Sequence, residues 1–213
     1  GKVRPAPPHG GPLGGGGACA VCYGTDPIAR LAGGAGEKSV VVGSGGGLAT
    51  PPTSSASIEC SQCGLVVHRA CYGATGEDRG PNWTCRHCTA ASTASCALCG
   101  QPGGALKATT DGRWAHVLCA LVIPETFFEI QPAMEPIDGI ESIDEGRFAE
   151  ECFACGESGG GACVPCASRG CDKAFHVGCG AGAGCVFQLT QRTGRRPAGR
   201  PLCPEHAAKA PGG

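Results

Sequence analysis

Aromatic side chains are scarce in this chain. Phe, Trp and Tyr make up 5% of its 213 residues, with only two Trp and two Tyr. Charged residues are also few, at 16%, and seventeen Lys and Arg nearly balance eighteen Asp and Glu. No apolar run approaches the roughly 20 residues of a membrane-spanning helix, so no membrane partner is expected. A chain this poor in large apolar groups, carrying 38 Gly and 17 Pro, does not close one extensive core. Small modules of that kind depend on staples. The sequence begins on Gly1 rather than Met, which reads as a piece of a longer protein.

The staples are eighteen cysteines. Disulfides are the competing reading. Against them stand the absence of a signal peptide, the repeated C-x2-C knuckles, and histidines set in H-x2-C registers that a disulfide scaffold does not use. Structural zinc, in a reducing intracellular compartment, fits better. The chain is organised around C-A-L-C…W-A-H-V-L-C, where Cys96, Cys99, His116 and Cys119 supply one tetrahedral set. An array of eight ligand candidates lies on each side, so twenty ligands serve five Zn2+ ions. Each zinc with three thiolates carries −1 and each with four carries −2. The formal charge of −1 therefore understates the negative character of the folded chain. That balance argues against nucleic acid as the main partner and suits a basic peptide.

Residues 1–18, including His9, read as a disordered Pro/Gly-rich leader. The first array is Cys19, Cys22, Cys60, Cys63, His68, Cys71, Cys85 and Cys88. In a finger with crossed-over ligand pairs, Cys19, Cys22, His68 and Cys71 share one zinc, and Cys60, Cys63, Cys85 and Cys88 share the other. A RING would set its lone His earlier. Trp83 is expected to cover the small core, and His87 to be a solvated surface residue. A long insertion separates Cys22 from Cys60. Within it Lys38–Val42 reads as a short strand, and Ser57–Glu59 reads as a second leading into Cys60. A strand entering a knuckle in so small a module has an exposed edge, able to accept an extended peptide.

In the central module Asp111-Gly112 marks a turn. The run Leu118, Leu121, Val122, Ile123, ended by Pro124, needs a neighbour to bury it. From Glu125 to Glu151 nine acidic residues face Arg147 alone, interspersed with Ile130, Met134, Ile137, Ile140, Ile143 and Phe148. This reads as packed structure with a solvated acidic face that can steer a basic peptide. In the second array Cys152, Cys155, His176 and Cys179 form one set, and Cys203 and His206 belong to the other. Spacing alone favours Cys163 with Cys166 as the remaining pair and leaves Cys171 spare. Cys185 reads as a buried apolar thiol, and Phe175 and Val177 as core. Arg192, Arg195, Arg196 and Arg200 form the basic cluster, either a mobile solvated loop or a DNA-phosphate contact.

The first array, from C-A-V-C through E-C-S-Q-C, V-V-H-R-A-C-Y-G and W-T-C-R-H-C, resembles a PHD finger. The run G-G-A-L-K-A-T-T-D-G-R-W-A-H-V-L-C-A-L-V-I-P-E-T, with M-E-P-I-D-G-I and G-A-C-V-P-C…C-D-K-A-F-H-V-G-C, is similar to the zinc knuckle and extended PHD finger of chromatin regulators. The likeness is greatest to plant or algal trithorax-like histone H3 lysine methyltransferases and covers Cys19 to His206. It implies Cys166 and Cys171, with Cys203 and His206, as the fifth set. The implied fold is a series of small zinc-stabilised modules, mostly irregular, with short antiparallel strands and short helices, the PHD, knuckle and PHD packed as one unit. The divisions are a leader 1–18, PHD finger 19–90 with a long insertion, knuckle 91–123, acidic connector 124–151, extended PHD finger 152–207 and tail 208–213.

The resemblance implies a nuclear reader of the histone H3 tail, with nucleosomal DNA and other chromatin-complex subunits as further partners. A catalytic zinc keeps a position open for water. All five sets are closed by four protein ligands, so this chain is expected to have no catalytic centre, and any SET domain lies elsewhere in the parent. The insertion before Cys60 is longer than the family's. Aromatics for a methyl-lysine cage are sparse, Tyr23 and Tyr72 alone being near the first finger's edge, and position 58 is Ile. The peptide-facing candidates are Tyr23, Asp26, Ser57, Ile58 and Glu59, with the Asp26 and Glu59 carboxylates holding an unmodified or low-methyl lysine. DNA binding through Arg192–Arg200 and a purely structural platform for a parent methyltransferase are the alternatives.

Overall fold

A computed structural model describes residues 19–23, 38–42, 57–74, 82–191 and 198–210. Short elements joined by irregular chain dominate, as expected for metal-stapled modules. In chain order the first are β1 (Lys38–Val42), β2 (Ser57–Glu59), β3 (Val66–His68), α1 (Arg69–Tyr72) and α2 (Arg86–Thr89). The central module contributes β4 (Leu106–Ala108), β5 (Trp114–His116) and α3 (Val117–Val122). The connector forms β6 (Phe127–Ile130), β7 (Glu135–Asp138), a 3-10 turn at Ile140–Ser142, and α4 (Gly146–Ala149). The last module has β8 (Cys163–Pro165), β9 (Ala174–His176), α5 (Val177–Gly182), β10 (Val186–Gln191), β11 (Ala198–Leu202) and α6 (Pro204–Ala207).

One unit recurs three times: a two-stranded hairpin whose second strand ends on a histidine, followed at once by a short helix. The hairpins are β2–β3, β4–β5 and β8–β9, with Ser57 opposite His68, Leu106 opposite His116 and Cys163 opposite His176. The histidine is extended in each case, and the helix it starts carries a cysteine three residues on. The H-x2-C spacing therefore sets both ligands on one turn at a strand-to-helix corner.

Helix α3 decides how the modules sit together. All six of its residues are buried, and it packs against β5, β6, α5, β10 and β11. The apolar run from Leu118 thus finds its neighbour mainly in the last module. Each fully buried Val, Leu or Ile of this kind contributes about 1.5–3 kcal/mol. Ile123, extended before Pro124, ends the helix, as the residue preceding proline is held out of the helical region. One continuous buried cluster runs from Cys19 to Cys203.

The strand expected at Lys38–Val42 forms, but far from its sequence neighbours. β1 pairs antiparallel with β10 of the last module, Lys38 opposite Gln191 and Val42 opposite Phe187, making the three-stranded sheet β1–β10–β11. The insertion within the first finger thus lends a strand to the last one. The leader 1–18 and His9 lie outside the described residues. Of the tail, Ala210 packs against the core rather than extending away.

Candidate metal centres

Five groups of four side chains converge, with all ligand atoms in each within 4.8 Å of one another: Cys19, Cys22, His68, Cys71; Cys60, Cys63, Cys85, Cys88; Cys96, Cys99, His116, Cys119; Cys152, Cys155, His176, Cys179; and Cys166, Cys171, Cys203, His206. The histidines present Nδ1. Sulfur-to-Nδ1 distances include 3.4 and 3.6 Å at His68, 3.3 and 3.8 Å at His116, 3.6 and 3.7 Å at His176, and 3.6 and 3.1 Å at His206. A tetrahedron with Zn–S near 2.3 Å and Zn–N near 2.0–2.1 Å has S–N edges of about 3.5 Å and S–S edges of about 3.8 Å. Cys63 and Cys85 are 3.8 Å apart. The donor sets fit zinc, and these are five structural zinc sites.

One backbone device appears at every site. The first cysteine's sulfur accepts an N–H from the third ligand residue: His68 to Cys19 at 3.2 Å, Cys85 to Cys60 at 3.3 Å, His116 to Cys96 at 3.2 Å, His176 to Cys152 at 3.4 Å and Cys203 to Cys166 at 3.4 Å. An N–H aimed at a thiolate stabilises its charge and orients the ligand before metal arrives. At the central site His116 also donates Nε2–H to the Gly103 carbonyl at 2.7 Å, which leaves Nδ1 free for metal. Four protein donors close each shell and leave no position for a water nucleophile, so this is a non-catalytic zinc-binding module.

Cys163 and Cys185 stand apart from the metal sets. Burial pushes both thiols up to about 12, and Cys163 Sγ donates to the Glu150 carbonyl at 3.5 Å. The C-x2-C spacing of Cys163 with Cys166 thus misleads. Cys163 points away on β8, and Cys171 completes the set.

Several side chains differ from expectation. His87 is half-buried, with its ring edge-on to Trp114 at 5.0 Å and Nε2 3.1 Å from the Ala94 carbonyl. It is a bridge between first finger and knuckle rather than a solvated group. Trp83, as expected, is core, edge-on to Tyr72 at 5.6 Å. Tyr72 is itself buried, donates its hydroxyl to the Leu106 carbonyl at 2.8 Å, and has Lys107 Nζ 4.2 Å above its ring. Its cation–π partner is internal, so it is unavailable to a cage. Tyr23 is packed against the core with its hydroxyl buried and unpartnered. Burial, followed by the sulfurs of Cys119, Cys99 and Cys19, holds that phenol far above its ordinary range. It lies between the first finger and the knuckle.

On β2, Ser57 and Glu59 are exposed and Ile58 is buried, so Ile58 offers an incoming chain only backbone. Among the described residues β2 pairs with β3 alone, leaving its other edge open. Arg200 is exposed on β11 and donates to Gln188 Oε1 at 3.3 Å. Asp26, Arg192, Arg195 and Arg196 lie outside the described residues.

The acidic connector is partly spent on the interior. Arg147 pairs with Glu125 at 2.8 Å and donates to the Cys163 carbonyl at 2.8 Å. Glu135 binds Arg86 at 2.8 Å and buried Lys107 at 3.3 Å. Ile137, Ile140 and Ile143 are buried, whereas Ile130 is 56% exposed. Glu129, Glu141, Asp144, Glu145, Glu150 and Glu151 line the surface. Lys107 is what the sequence reading missed. Its only signal is a lysine at an inward strand position opposite Ala115.

Two family models match the chain. The model of the PHD-zinc-finger like domain matches residues 94–206, and that of the PHD-finger matches 54–89. Cys19 and Cys22 fall outside the latter match, and it is the fold that joins them to His68 and Cys71. The chain is 45% identical to the Drosophila melanogaster "Bromodomain-containing protein homolog" over 61% of its length, and 40% identical to the Arabidopsis thaliana "Histone H3-lysine(4) N-trimethyltransferase ATX1" over 62%. It spans 9% and 13% of those two relatives. The zebrafish PHF14-PZP crystal structure matches at a TM-score of 0.49 and 32% identity, covering 61% of this chain and 68% of that one. The chain belongs to the PHD-zinc-finger like family, and carries a PHD–zinc knuckle–PHD cassette related to those of the plant trithorax-like methyltransferases.

Proposed function

We infer that the cassette is a histone-tail reader, taking the N-terminal tail of histone H3 as an added strand along the open edge of β2 and favouring an unmodified or low-methyl lysine. One observation carries this reading: among the described residues β2 has an unpaired edge with Glu59 exposed on it, while of the two aromatics nearest that finger's edge Tyr72 is buried and Tyr23 is partly buried against the core with its hydroxyl inside. Main-chain pairing supplies affinity at such an edge and the side chains beside it supply selectivity. A methyl-lysine cage needs two or more aromatic faces around the cation, and with Tyr72 buried under Lys107 this edge has at most Tyr23 to offer. A carboxylate favours the ammonium of unmodified lysine, and Asp26 is assigned the same role as Glu59.

Electrostatics supports a basic ligand. Sixteen thiolates on five dications leave the metal centres at −6, in addition to the exposed carboxylates of the connector. The company of relatives named as an H3-lysine methyltransferase and a bromodomain protein supports a nuclear chromatin regulator as parent, with histones and other chromatin-complex subunits as partners.

The test is a titration of the zinc-loaded chain against H3 peptides carrying zero to three methyl groups at each lysine. Tightest binding to an unmodified peptide is expected, weakened by methylation at one lysine and by Glu59→Lys. Absence of binding to every peptide would overturn the reading. A DNA-binding role through Arg192, Arg195, Arg196 and Arg200 would show instead as duplex affinity falling steeply with salt, and a structural platform would show neither.

A further inference from the structure

The C-terminal sheet carries an occupant that the family resemblance does not explain. β10 is its central strand. Phe187 and Leu189 are fully buried on one face, and Val186 and Gln188 are half-buried. On one side β10 pairs with β11, from Val186 opposite Leu202 to Thr190 opposite Ala198. β11 is built as a terminal strand. It contains Pro201, which has no N–H to offer, and Arg200, and Gly199 lies against the backbone of Val122. Such features blunt an edge against further pairing.

The other side of β10 has no such protection. Val186–Gln191 reads V-F-Q-L-T-Q, without proline or charge. An uncovered edge of that composition is a template for another strand. It is covered by β1, five residues of K-S-V-V-V drawn from the insertion between Cys22 and Cys60. Val40 and Val42 stand in register opposite Leu189 and Phe187. Nothing local imposes this pairing, because β1 and β10 are separated by both other modules.

We propose that the outer edge of β10 is a strand-accepting surface on the C-terminal finger, closed in cis by the chain's own insertion. An extended segment of the same chemistry, a lysine beside a run of β-branched apolar residues, takes its place when β1 is withdrawn. The edge is distinct from that of β2, so its fate is independent of the histone-tail reading. Tethered at both ends, β1 acts at an effective concentration of about millimolar. A trans segment of equal intrinsic affinity therefore has to reach about that concentration before it displaces β1.

The full chain with residues 38–42 replaced by an equal length of Gly and Ser, its five zinc ions verified by metal analysis, is compared with the unaltered chain. The probe is a synthetic peptide of residues 37–43. Expected results are loss of amide-exchange protection at those residues of Val186–Gln191 whose N–H groups face β1 in the unaltered chain, its recovery on adding the peptide, and binding at least about tenfold tighter than to the unaltered chain. A peptide with proline at positions 40 and 41 should not bind, since it lacks N–H groups on both edges. Unaided protection of those β1-facing amides in the replaced chain, equal binding to both chains, or equal binding of the proline peptide overturns the proposal. Should the replaced chain fail to hold its zinc, the unaltered chain decides. Amides of Lys38–Val42 that face β10 yet exchange at the solvent rate, while the β1-facing amides of β10 stay protected, would be equally fatal.

Discussion

At the scale of single residues, backbone geometry at the knuckles is informative. Gly64, Gly100 and Gly156 each follow a C-x2-C pair with φ near +70°, and donate back to the carbonyl of the pair's first cysteine. Tyr23 occupies the same place after Cys22 with φ 53°. A non-glycine residue there costs about 1 kcal/mol, and its ring, packed against the core, offsets that. Tyr23→Phe removes only a hydroxyl without a partner, so zinc content and H3-peptide affinity should be unchanged. A fall in affinity would return Tyr23 to the peptide site. Gly161 is constrained differently. A Cβ there would lie 2.5 Å from Cys99 Cα and 2.7 Å from the Leu98 carbonyl oxygen, both backbone atoms. Gly161→Ala is therefore expected to cost about 1–3 kcal/mol, read as a lowered thermal midpoint, and an unchanged midpoint would mean that the two modules do not approach as described.

At the scale of elements, the β6–β7 hairpin is locked to the first two modules by one carboxylate serving two cations. Lys107 on β4 is 1% exposed, with its ammonium shared among Glu135, the Ala133 carbonyl and the Tyr72 ring. Arg86 on α2 reaches the same carboxylate with a side chain 50% exposed. Removing one partner of a buried pair costs about 3–5 kcal/mol, whereas an exposed pair contributes roughly 0–1. Lys107→Ala should thus destabilise severely in chemical denaturation and Arg86→Ala barely. Equal effects would show that the lysine is hydrated. The alternation of the β4–β5 hairpin is legible in sequence, but a lysine facing inward is not, because its burial depends on groups from two other modules.

For the whole molecule, the central site is the keystone. Gly161 abuts Leu98 and Cys99, a side chain at Gly178 would meet Cys99 Sγ, Gln101 Nε2 donates to Cys179 Sγ at 3.7 Å, and His87 leans on Trp114. Metal-binding free energy in such modules is folding free energy. Chelation should therefore unfold the chain as a unit, and the intact protein should contain five zinc ions by metal analysis; two would refute the architecture. Cys99→Ser should lower exchange protection in both flanking hairpins, β2–β3 and β8–β9, as well as its own. Protection kept in β2–β3 would make the first finger autonomous.

The ligand sets were legible in the sequence because metal chemistry is locally written. A C-x2-C pair and an H-x2-C pair each span about one turn of chain, so spacing reports the local pairs, while the crossed-over matching of distant pairs follows the finger pattern they resemble. The strands at Lys38–Val42 and Ser57–Glu59 were legible for the same local reason. Spacing failed where it offered two answers, at Cys163 and Cys171, and there the inward turn of β8 decides. Only the tertiary structure could decide the partner of β1, since backbone pairing between distant strands leaves no side-chain signature. It alone could bury Tyr72, Lys107 and the hydroxyl of Tyr23 as well, because burial is a property of what the rest of the chain brings alongside.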